Sequence, residues 1–153
     1  MAQRRDRVAR RLAEEGVSRA ALVVLTLSAA LRAHAGDDCG AALKTAKPWI
    51  ATADGVRIAF VSRPTPVPVG RHFDLEFVVC TAAALRRDAA IQVDADMPAH
   101  RHGMNYRATV STPSPGIYRA EGLMFHMPGR WRVIFDLPLE GRTLRLTHEL
   151  EVQ

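Results

Sequence analysis

The stretch "HFDLEFVVC", residues 72 to 80, places Phe73, Leu75, Phe77 and Val79 on one side and His72, Asp74 and Glu76 on the other. Successive side chains of an extended chain point to opposite faces, so this pattern specifies a sheet with one dry and one wet surface. The same alternation recurs along most of the chain. "VRIAFVS" sets Val56, Ile58 and Phe60 on one face, directly after the hairpin pair Asp54-Gly55. "AAIQVDADM" opposes Ile91, Val93, Ala95 and Met97 to Gln92, Asp94 and Asp96. "RWRVIFDL" alternates Trp131, Val133, Phe135 and Leu137 with Arg130, Arg132 and Asp136. "TLRLTHELEV" aligns Leu144, Leu146, His148 and Leu150. Between the runs lie "RPTPVPVG", "TPSPG", "MPGR" and "LPLEG", which carry the proline and glycine that turns require. Turns spaced this closely, with no sustained helical period after residue 35, predict an all-β, immunoglobulin-like antiparallel sandwich of about seven strands. The Pro64, Pro66, Pro68 segment reads as an extended crossover between strands, since proline cannot sit inside a central ladder.

The first 35 residues follow another logic. Arginines at 4, 5, 7, 10 and 11 precede the apolar run "AALVVLTLSAAL", residues 20 to 31, and then Ala33-His34-Ala35. The run falls short of the ~20 residues a spanning helix needs, but it suits the core of a signal peptide. Residues 1–35 therefore read as a signal peptide cleaved after Ala35, and 36–153 as one exported, periplasmic domain without membrane insertion. A short membrane anchor is the other reading of the run. Cleavage after Ala33 would instead expose His34 as a chelating amino terminus.

This division reshapes the charge. The formal net charge is +5, yet residues 1 to 35 hold seven arginines against Asp6, Glu14 and Glu15. Residues 36 to 153 keep 14 basic and 13 acidic side chains. No basic stripe remains for a nucleic acid or an anionic membrane to recognise. Cys39 and Cys80 are the only cysteines, and an even count in an exported chain reads as a disulfide. A thiolate metal site is the competing reading of that pair.

Chemistry concentrates in one window. Met97, Met104, Met124 and Met127 are all the methionines after Met1, and His100, His102 and His126 fall among them. They form two clusters, "MPAHRHGM" at 97 to 104 and "MFHM" at 124 to 127, each beside a predicted strand end. Loops at one pole of a sandwich can face each other. Thioethers are soft donors that select Cu(I), and imidazole suits copper in either state, whereas zinc sites favour cysteine or carboxylate. The candidate ligands are thus Met97, His100, His102, Met104, His126 and Met127, with Met124 in reserve. Met97 and Met124 equally suit core filling, since methionine packs irregular gaps. His148, alone on an apolar face, reads as a hydrogen-bonded structural histidine, and His72 as surface.

No nucleophile–base order, phosphate loop or isolated carboxylate pair supports an enzyme. Asp94 and Asp96 read as a solvated strand face. The sequence "DMPAHRHGMNYRATV" followed by "GIYRAEGLMFHMPGRWRVIFDL" resembles the YtkA-like group of exported bacterial domains, related to FixH-like proteins, over residues 39 to 151. That resemblance implies an immunoglobulin-like sandwich and a link to copper handling. Its Met-Pro-x-His-x-His-Gly-Met run maps onto Met97, Pro98, His100, His102, Gly103 and Met104. Its His-Met-Pro-Gly-x-Trp run maps onto His126, Met127, Pro128, Gly129 and Trp131. The ligand types are also similar to those of periplasmic copper chaperones. The expected function is that of a non-catalytic Cu(I) carrier, with a copper-accepting membrane protein as partner. The alternative is a metal-free periplasmic interaction domain that assists assembly of a membrane complex.

Overall fold

Each alternating run becomes a strand because only pairing in a sheet buries its apolar side while satisfying every backbone N–H and C=O. The computed structural model describes residues 39–45, 47–81, 85 and 90–153. The expected signal peptide and its cleavage point lie outside the described residues. Within them, no helix is long and apolar enough to cross a membrane.

Among the described residues, nine strands form two antiparallel sheets. The first contains β1 (Trp49–Ala53), β2 (Val56–Arg63), β3 (His72–Cys80), β6 (Thr109–Ser114) and β7 (Ile117–Met124), in the order β1-β2-β3-β7-β6. The second contains β4 (Gln92–Met97), β5 (His102–Gly103), β8 (Gly129–Leu139) and β9 (Arg142–Val152), in the order β5-β4-β8-β9. The count exceeds the expected seven for identifiable reasons. β5 is two residues long, and β6 is an edge strand, almost wholly exposed and containing Pro113, so it carries no apolar alternation to read.

The Asp54-Gly55 turn holds both residues at positive φ, 48° and 75°, and sets Ala53 opposite Val56. That is the two-residue hairpin the sequence predicts. The Pro64–Pro68 segment departs from expectation. It joins β2 to its own neighbour β3 in the same sheet, so it is a long hairpin connection and no crossover.

Between the sheets lie Phe60, Phe73, Phe77, Phe125, Trp131 and Phe135, all fully buried. Burying one such side chain stabilises the fold by roughly 1.5–3 kcal/mol. A smaller cluster sits outside β2 and β3, where Leu43, Ala59, Val61 and Val78 pack together. The Cys39–Cys80 disulfide ties the 39–43 segment over that face. Gly40 is required there: its φ is +103°, and a Cβ would sit 2.8 Å from that of Ala59. His148 is the structural histidine expected, its Nδ1 2.9 Å from the Ile50 carbonyl and its ring edge-on to Phe60.

Candidate metal site

Both Met/His clusters lie where strands of opposite sheets end. β4 stops at Met97, a single 3-10 turn spans Pro98–His100, and Arg101 reverses the chain at φ 54°. Proline at the first position of that turn suits its fixed φ and missing N–H. The chain then pairs back on itself as β5, with Met97 opposite His102 and Asp96 opposite Gly103. The Met104 N–H donates to the Ala95 carbonyl at 3.0 Å and completes the hairpin.

The second cluster follows β7. Leu123 and Phe125 are fully buried, and Phe125 bridges to Val69 beyond the end of the strand. The chain bends at 127–128, and Gly129 opens β8 at φ +123°. The Trp131 Nε1–H donates to the Met127 carbonyl at 3.0 Å, which pins this bend to the core. The indole stacks on Phe125, with ring centroids 4.4 Å apart and planes 9° from parallel.

These two loops meet. The rings of His102 and His126 stand 4.9 Å apart, although 24 positions separate them in the chain. His100 lies 5.9 Å from His102. Trp131 forms the floor, its ring 5.7 Å from His102 and 5.4 Å from His126, each in an edge arrangement. His100 and His126 are exposed, while His102 is half-buried. An ion about 2 Å from each imidazole nitrogen holds ring centroids roughly 5–6 Å apart, so both histidine pairs have the span to share one.

The thioethers occupy different depths. Met104 and Met127 are half-buried and pack against the main core from the rim. Met97 is 2% exposed and belongs to that core, in register with Val93 and Ala95. Its Cε stands 2.6 Å from where a Cβ on Gly129 would be, so the glycine makes room for it. Met124 does not join the group. Alternation turns it away from the core face occupied by Leu123 and Phe125, and its register partner across the sheet is His72.

Neighbouring carboxylates are already engaged. Asp96 receives both Arg132 donors, at 2.9 and 2.5 Å, and Asp94 accepts from the Ala95 N–H at 2.8 Å. Among the described residues no three His, Cys, Asp or Glu side chains gather closely enough to hold a metal ion. A cavity of about 450 Å³, lined by Asp96, Met97, Pro98, Arg101, His102, Gly103 and Arg132, opens beside His102. Sequence reasoning placed Trp131 in a strand and missed it as the floor beneath the histidines. The available signal was an indole two residues beyond the Pro128-Gly129 turn.

A family model described as YtkA-like matches residues 50–136, which contain both clusters. No curated protein matches the chain. Among solved structures, a copper-bound variant of FetP from uropathogenic Escherichia coli is similar at a TM-score of 0.45 and 11% identity. The likeness covers 69% of this chain and 94% of that one.

Proposed function

The chain belongs to the YtkA-like family, and we propose that it is a periplasmic copper-binding protein, a Cu(I) carrier without catalytic turnover. One observation carries the reading: His102 and His126, from separate Met/His clusters, lie 4.9 Å apart over a buried indole. The ligands proposed are His100, His102, His126, Met104 and Met127, with Met97 beneath them. Soft thioether sulfur matches Cu(I), whereas Cu(II) prefers tetragonal nitrogen and oxygen donors that two or three imidazoles supply only in part. Methionine also remains a ligand in an oxidising compartment, where cysteines become disulfides. In this chain Cys39 and Cys80 are already paired with each other. Exposure of His100 and His126 at one pole suits transfer to a docked acceptor, proposed to be a membrane protein that takes up copper.

Metal analysis of protein isolated from copper-supplemented periplasm tests the reading. One tightly held copper per chain, lost when His100 and His102 are both replaced, is expected. Sub-stoichiometric copper unchanged by that replacement would point to the metal-free interaction domain. Competition titrations should find Cu(I) bound more tightly than Cu(II), with Met104→Leu weakening Cu(I) selectively. Tighter Cu(II) binding, insensitive to that substitution, rejects the thioether site.

A further inference from the structure

β7 ends at Met124, which takes no part in the histidine pole, and Met124 is not alone there. It is the direct register partner of His72 across the antiparallel β3–β7 pair, one position before the pair Phe73 and Leu123, which are buried. Side chains of directly opposed residues share one face, with Cβ atoms roughly 4.5–5.5 Å apart. That face is the outer one. His72 is exposed and Met124 half-buried. The Tyr106 ring, 45% exposed, packs edge-on against His72 with centroids 4.9 Å apart and limits how far the imidazole can swing.

We infer that His72 and Met124 form a second, weaker site for a soft monovalent cation, separate from the histidine pole. The chemistry is specific to that class. One thioether and one imidazole satisfy a two-coordinate soft ion, while harder divalent cations require more oxygen or nitrogen donors. An ion about 2 Å from nitrogen and 2.3 Å from sulfur needs its donors roughly 4 Å apart, a span that facing residues with such Cβ spacing reach without backbone movement. The pair also lies next to the pole in the chain. His126 follows Met124 by two residues, at most about 7 Å along extended backbone, so an ion captured on the outer face has a short path to His126. This deepens the copper-carrier reading by giving the ion a landing place, and the cation class rests on that reading.

Silver(I), a redox-inert soft monovalent ion, is the probe. It is titrated into the full chain after export while ring signals of His72, His102 and His126 and the methyl signals of the methionines are followed by NMR. The first equivalent is expected to move His102 and His126, and the second to move His72 and Met124. Met124→Leu, which conserves volume, should weaken the second step at least tenfold and leave the first unchanged. His72→Gln should do the same, and unaltered signals elsewhere would verify that each variant folds. Movement at the pole without any at His72 and Met124 overturns this site and leaves the proposed function standing. Movement at His72 and Met124 alone supports it while rejecting the pole.

Discussion

Trp131→Phe separates what the indole N–H does from what an aromatic ring does. Phenylalanine can keep the stack on Phe125, whose centroid lies 4.4 Å away, but it cannot donate to the Met127 carbonyl. Losing that hydrogen bond costs about 1 kcal/mol. The missing ring atoms, at a position with no solvent exposure, cost about 2 kcal/mol more through lost burial and the void left behind. A destabilisation of about 3 kcal/mol lowers Tm by roughly 10 °C in a domain of this size. The bend at 127–128 then loses its tether to the core. His126 and Met127 should wander from His102, and Cu(I) affinity should fall about tenfold or more while Cu(II) binding through His100 and His102 changes less. Urea unfolding of the disulfide-intact protein, followed by far-UV circular dichroism, gives the stability change. Cu(I) competition gives the affinity. A loss below about 1 kcal/mol together with unchanged Cu(I) affinity would refute the claim that the Nε1–Met127 bond holds the site together.

Other perturbations test separate parts of the structure. Replacing Cys39 and Cys80 with alanine opens a link between residues 41 apart, and urea unfolding should register the loss of about 4 kcal/mol that the chain-entropy account gives; thiol titration of the unaltered chain, denatured without reductant, should find no free thiol. Gly129→Ala forces alanine to φ +123° and sets its Cβ against the Met97 methyl, so chemical denaturation should register a loss of about 1–3 kcal/mol. The Arg119 donor, and with it Arg63, holds the Glu76 carboxyl below its ordinary range. A carboxyl depressed in the folded state stabilises the fold at neutral pH, and that contribution fades as pH drops through the ordinary carboxylate range toward the folded value. Glu76→Gln should therefore flatten the stability–pH curve on its acid side, and a curve identical to that of the unaltered protein would count against the pairing. Replacing His126 and Met127 together should weaken the same copper site as replacing His100 and His102, and unchanged affinity would remove the second cluster from it.

Strand identity was written into the sequence, because a period of two in apolar residues can be buried only by an extended chain, and Asp54-Gly55 accepts the positive φ values of a tight hairpin. The disulfide followed from an even pair of cysteines in a chain read as exported, and the composition of the Met/His window named the candidate donors. The edge strand Thr109–Ser114 was illegible, since a strand that buries almost nothing leaves no apolar pattern. The sequence offered two loops that could meet at one pole, but the spacing of His102 and His126 and the place of Met124 came from the tertiary structure. Met124 is the last residue of β7 and stands opposite His72, whereas the ring of His126, two residues past the strand end, lies beside that of His102 from the other sheet. Alternation is a local property of one chain segment. The meeting of two loops depends on how both sheets stack on a shared core, and that is settled only by packing across the whole sandwich.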